Sequence, residues 1–200
     1  MTTSRKERAA ETEAALKAAA KRVFARRGYL TTKITDITAE AGRAAGSFYN
    51  HFPSKEALLE ALLADMLAAG DAVALGAGHS DDFTDRDAIR FHVAAFWGFY
   101  RENLPVMVAL REASMVDAHF RDRARQLMVE DGMHLQTHLT RVRRLPGQPW
   151  LVVSAMRSLI DQFAWTWLAA GGDGSGPAPT DDEAIELLTD ILHTGIAGRG

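Results

Sequence analysis

The chain has 200 residues, 47% of them apolar and 24% charged, with a formal net charge of −3 and no cysteine. That length provides ample core for one domain or for a small domain on a larger one, and the composition is that of an ordinary globular protein. The lack of cysteine excludes a disulfide framework, a thiol nucleophile and a cysteine zinc site, and it fits a reducing cytosol. Charge is unevenly spread. Residues 1–60 hold 11 Lys and Arg against 7 Asp and Glu, a balance of +4, and residues 61–200 hold 12 against 19, a balance of −7. A basic amino-terminal module on an acidic body is the asymmetry expected if one end meets phosphates. The amino end lacks an apolar signal core, and no apolar run is long enough to span a bilayer. The expectation is a cytoplasmic protein without a membrane partner.

Residues 2–12 are polar and read as a loose arm. A first helix is predicted over 11–27, with Leu16, Ala20, Val23 and Phe24 as its apolar stripe and Gly28 at its end. Ile34, Ile37 and Ala41 recur at helical spacing, and Gly42 follows as a left-handed cap. Residues 44–52 form another short helix with Phe48 and Phe52 on one face. Pro53 ends it, and Ser54 caps the next helix from Lys55. Two short helices joined by a glycine turn make a helix-turn-helix pattern.

The run from Gly28 to Leu59 resembles the DNA-binding end of the TetR repressor family. The resemblance rests on Phe24, Gly28-Tyr29, Thr32, Ile34, Asp36-Ile37, Ala39, Ala41-Gly42, Gly46-Ser47-Phe48-Tyr49, His51-Phe52 and Ser54-Lys55-Glu56-Ala57-Leu58. It covers about a quarter of the chain. Arg43, Ala44 and Ala45 depart from it, standing where the family usually has a small apolar residue and then serine with a basic residue. The resemblance implies a DNA-binding domain over residues 1–53 and a ligand-binding and dimerisation domain over 54–200. It also implies an all-α fold, a helix-turn-helix three-helix head on a helical-bundle body.

Beyond the head, a long helix is predicted from Lys55 to about Gly70 or Leu75, then a glycine- and aspartate-rich loop over 76–85. An aromatic helix follows over 86–103. Pro105 marks a break before a short helix over 106–115. Residues 117–144 form the longest periodic segment. The helix over 150–170 is apolar on nearly every side, so it belongs in a core or a subunit interface. Thr180 caps a last helix, with Ile185, Leu188, Ile191 and Leu192 on one face.

A major groove accepts one helix, and side chains at base edges read its sequence. The candidates are Arg43, Ser47, Tyr49, Asn50 and His51, with Ala44 and Ala45 offering methyl groups to thymine. The resemblance puts Tyr49 on phosphate and Lys55 at the DNA backbone, and Thr35 can add a hydroxyl beside free amides. Arg43 has two readings, a half-buried snorkelling side chain or a phosphate or guanine contact. The body is rich in aromatic residues and methionine, most of which fill core. For the inducer cavity that the resemblance implies, the candidates are Phe96, Tyr100, Met107, Leu110, Phe120, Met128, Met156, Phe163 and Trp167. Their chemistry suits an apolar or aromatic ligand.

Glu130, His134 and His138 share a helix face and could bridge a metal, but surface or pocket polarity is the better reading and no metal site is assigned. No phosphate loop, nucleophile elbow or paired-acid motif is present, so no cofactor and no catalytic residue are expected. The expected function is a ligand-responsive transcriptional repressor. It would bind a palindromic operator in double-stranded DNA as a homodimer and be released by a small molecule. Two alternatives stay open: a helical interaction protein without sequence-specific DNA binding, and a metal-binding helical-bundle enzyme.

Overall fold

The computed structural model describes residues 4–74 and 80–197, without side chains for 71–74, 129–134 and 197. All regular structure among them is helical, as expected for an all-α protein. The helices are α1 (Arg5–Arg27), α2 (Ile34–Glu40), α3 (Ala45–Tyr49), α4 (Lys55–Ala74), α5 (Arg86–Glu102), α6 (Leu104–Val116), α7 (Ala118–Thr137), α8 (Pro149–Ala164) and α9 (Asp181–Ala197). Two compact units result. One comprises residues 1–66 and 104–125, the other residues 67–103 and 126–200.

In the first unit α1 packs against α2 and α6, and α2 against α3. Helix α1 starts six residues earlier than the polar composition of its first turns suggests. The reason is local: Ser4 Oγ accepts the Glu7 N–H at 3.2 Å while the Glu7 carboxylate accepts the Ser4 N–H at 2.6 Å. This reciprocal cap satisfies two otherwise orphaned donors and nucleates the helix where composition alone suggests a loose arm. The predicted stripe is buried, with Leu16 and Ala20 at 0% exposure and Val23 and Phe24 beside them. Phe48, Phe52, Leu58, Leu59, Leu62 and Leu63 are also buried.

In the second unit α5 packs against α8 and α9. Acid–base pairs tie α5 to α9: Arg86 Nη2 and Arg90 Nε reach Glu186, and Arg86 also reaches Asp190 at 2.7 Å. Trp97, 2% exposed, donates its indole N–H to Asp181 at 2.8 Å, and Arg101 pairs with the same carboxylate. Thr180 and Glu183 form the cap that starts α9.

Three further boundaries differ from expectation. Pro105 lies within the first turn of α6, where its missing N–H breaks no helical bond, so it opens the helix instead of preceding it. Helix α7 ends at Thr137, well short of residue 144. Beyond it the chain continues in three-residue turns, Leu139 N–H to Gln136 C=O and Val142 N–H to Leu139 C=O, which still bury Leu139 and Val142. The apolar helix after Pro149 widens into a π-turn over Trp165–Ala169 before the glycine loop. Ile191 also departs from its predicted face: it is 48% exposed, whereas Ile185, Leu188 and Leu192 are buried.

Candidate nucleic-acid interface

The turn between α2 and α3 is built by a glycine. Gly42 adopts φ +63°, its N–H bonds the Ala39 carbonyl at 3.1 Å, and the Arg43 N–H bonds the Thr38 carbonyl at 2.9 Å. This pair of bonds is the Schellman termination, which requires a left-handed residue where Gly42 stands. Helix α3 then begins from extended Ala44 and is anchored by Phe48, which is fully buried with its ring 5.7 Å from that of Phe52. With Phe48 turned inward, Ala44, Ala45, Tyr49 and Asn50 are exposed and Ser47 and His51 half-exposed. Tyr49 is 61% exposed although its neighbour is buried. These predicted contact residues are thus open on α3 and the positions that flank it.

Two of the predicted contact residues are engaged within the head. Arg43 is half-buried, and its guanidinium lies 3.5 Å from Glu11 of α1, a geometry close to the snorkelling reading. The Lys55 ammonium points inward, donating to the carbonyls of Tyr29 at 2.8 Å and Thr32 at 3.0 Å and lying 4.0 Å from the centre of the Tyr29 ring. Burial pulls this ammonium below the usual lysine range. Thr35 is exposed in the first turn of α2, but the Lys33 N–H there already meets the Asp36 carboxylate at 2.9 Å.

An ionic lattice not visible in the sequence holds α2 against α1. Glu40 accepts from Arg22 and Arg26, and Asp36 pairs with Arg27 at 2.9 Å. The bonds from Arg26 and then Arg22 hold the Glu40 carboxyl below its usual range, and the Lys33 N–H, aided by Arg27, does the same for Asp36. Folded-state values below the unfolded ones mean a contribution present above the unfolded range and lost as pH falls through the lowered values. Thermal unfolding followed by circular dichroism should therefore show a stability loss setting in below about pH 4. Glu40→Gln should reduce that dependence; an unchanged pH profile would rule the lattice out as its source.

Tyr29 is the junction of this unit. It is 3% exposed, and its ring centroid lies 5.5 Å from that of Phe24. Its hydroxyl donates to Glu56 at 2.7 Å, and burial together with that bond pushes the phenol far above its ordinary range. Its N–H donates to Glu112 of α6 at 2.7 Å. Sequence reasoning missed Glu112, which lies 83 positions from Tyr29 and belongs to no motif.

The predicted ligand residues divide between the units. Met107, Leu110 and Phe120 belong to the first and the others to the second. Tyr100, Phe120 and Met156 are buried, whereas Met128 is 36% exposed. Within the second unit Phe96 lies 6.0 Å from Tyr100, and Phe163 lies 6.1 Å from Trp97 and 6.2 Å from Trp167, centroid to centroid. Glu130 and His134 lie outside the residues whose side chains are described. His138 is buried, its ring 5.0 Å from Phe83 and 4.8 Å from His92. Among the described residues no three His, Cys, Asp or Glu could hold a metal ion, and no helix is long and apolar enough to cross a membrane.

Residues 16–62 match the family model described as bacterial regulatory proteins, tetR family. The HTH-type transcriptional regulator TtgR of Pseudomonas putida is 40% identical over 80 residues, 40% of this chain and 38% of that protein. The chain thus aligns with about two-fifths of the length of that relative. Among solved structures, the regulator FadR from Bacillus subtilis, in complex with stearoyl-CoA, superposes with a TM-score of 0.74 at 18% identity, covering 94% of this chain and 99% of that one. A transcriptional regulator from Saccharomonospora viridis in complex with choline gives 0.75 at 22% identity, covering 95% and 100%. These likenesses extend the shared fold over about 95% of the chain.

Proposed function

We propose that this chain, whose residues 16–62 match the model of the tetR family of bacterial regulatory proteins, is a ligand-responsive transcriptional repressor that binds a palindromic operator as a homodimer. The observation that carries the reading is the exposed face of α3, held by buried Phe48 behind the Gly42 turn. Ser47, Asn50 and His51 are the side chains with hydrogen-bonding groups for base edges, Ala44 and Ala45 suit thymine methyls, and Tyr49 suits a phosphate. Thr35 adds a hydroxyl, Arg43 a guanidinium once released from Glu11, and Lys55 its main-chain amide at the start of α4. The protein would act in the cytoplasm, where its DNA is.

Dimerisation is supported by two exposed stripes in the second unit. On α8, Leu151, Ser154, Ala155, Ser158 and Leu159 are exposed at helical spacing, and on α9 Leu187, Ile191 and Thr194. Apolar and small residues on a regular stripe favour close helix packing against another copy. Two-fold symmetry then calls for an operator with two half-sites about one DNA turn, or a multiple, apart. The inducer would be a small apolar or aromatic molecule held by some of Phe96, Tyr100, Met107, Leu110, Phe120, Met128, Met156, Phe163 and Trp167. A ligand that prefers the form with mis-spaced heads lowers DNA affinity, and DNA lowers ligand affinity by the same factor. That solved relatives of this fold carry stearoyl-CoA or choline makes a ligand-holding body reasonable.

Selection of bound sequences from random duplex DNA at near-physiological salt tests the reading. A two-fold symmetric consensus is expected, and a folded protein with no enrichment would instead favour a helical interaction protein. Given the consensus, Asn50→Ala should relax preference at one symmetric pair of positions at a cost of about 1–3 kcal/mol. Tyr49→Ala should weaken all sequences alike. Competitive binding across single-base variants separates the two, and equal losses on every duplex for Asn50→Ala would remove it from base readout.

A further inference from the structure

We infer that Glu112, on α6 and remote in sequence from the helix-turn-helix, is a positioning residue of the DNA-binding head. The inference rests on the DNA-binding reading above. Helix α1 ends at Gly28, and the amides that follow have left the helical ladder. One oxygen of Glu112 accepts two of them, Tyr29 N–H at 2.7 Å and Leu30 N–H at 3.3 Å. A carboxylate accepting main-chain N–H groups is among the stronger hydrogen-bond arrangements, and a half-buried setting strengthens it further.

Gly28 is matched to that approach. It adopts φ +74°, and a Cβ there would lie 3.3 Å from both oxygens of Glu112. The connection is also held by a charge from another element, since the Tyr29 carbonyl accepts the Lys55 ammonium of α4. The peptide units around Tyr29 are therefore fixed by an anion from α6 and a cation from α4. The segment that leads from α1 into α2, and so sets how α2 and α3 are presented, is clamped by them. Glu112 is not itself among the expected DNA contacts, so its effect would pass through Tyr29 and α2.

The test compares the full-length chain with Glu112→Ala and Glu112→Gln, working well below the melting temperature of each. Amide exchange by NMR is read at Tyr29 and Leu30, and affinity is measured for the duplex selected by the wild type. Glu112→Ala should speed exchange at those two amides and weaken DNA binding, each by about tenfold, the loss expected from one charge-assisted bond. Glu112→Gln keeps an acceptor oxygen and should recover most of both. Unchanged protection and affinity in Glu112→Ala would overturn the inference, as would a loss that appears equally at amides throughout the first unit. If the wild type selects no duplex, the DNA-binding reading fails, and the two amides alone then decide the clamp: lost protection supports it and retained protection overturns it.

Discussion

Replacing Leu187 and Ile191 together with glutamate should leave a folded monomer that no longer binds duplex DNA with measurable affinity. Each side chain is 48% exposed on α9, beside buried Leu188 and Leu192. In the proposed dimer the exposed half of each is removed from water, which is worth about 0.7–1.5 kcal/mol per side chain, half the value for burying a fully exposed one. Glutamate loses that gain and adds an unpaired charge costing several kcal/mol more, and symmetry doubles the effect. Within one chain the substitutions touch only solvent-facing positions, so melting measured at the monomer level should move little. Sedimentation velocity distinguishes monomer from dimer directly. A variant that still sediments as a dimer would move the interface off α9. Loss of the dimer without loss of DNA binding would detach dimerisation from operator recognition.

The second large effect is expected at Phe48, with Tyr49 as its internal contrast. Phe48 is fully buried and packs against Tyr49 and Phe52. Phe48→Ala should cost about 3–5 kcal/mol, because the surroundings of a deleted ring close only in part. The head of a small unit cannot absorb that loss, so helical signal and DNA binding should fall together. Tyr49, one residue on, is 61% exposed. Tyr49→Ala should change stability by no more than about 0.5 kcal/mol while still weakening DNA binding. Melting curves and duplex binding on both variants separate the scaffold from its surface. If Tyr49→Ala bound DNA as the wild type does, the proposed contact face would have to be drawn elsewhere on α3.

Much of this is readable without coordinates, because it depends on residues close together in the chain. The stripe of Leu16, Ala20, Val23 and Phe24 is a 3.6-residue period, and period alone decides which face of an amphipathic helix is buried. Gly42, Pro53 and Ser54 each impose a backbone consequence on their immediate neighbours, so the turn and the stop between α2 and α4 follow from residue type. The same locality explains why Phe48 and Phe52 can be assigned inward and Tyr49 outward.

What cannot be read depends on groups distant in sequence. The inward turn of Lys55 needs two carbonyls of the α1–α2 connection, and the state of Arg43 depends on Glu11 in another helix. Glu112 meets Tyr29 across 83 positions, and the Glu40 pairs with Arg22 and Arg26 join two helices. A charged side chain has no period and no backbone signature, and the partner it finds is settled only when helices pack. Apolar residues of the body present the same difficulty. Phe120 and Met128, eight positions apart on α7, are alike as candidates in the sequence, but one is buried and the other open to solvent. Hydrophobicity makes burial favourable for both, and only the packing of neighbouring elements determines which of them receives it.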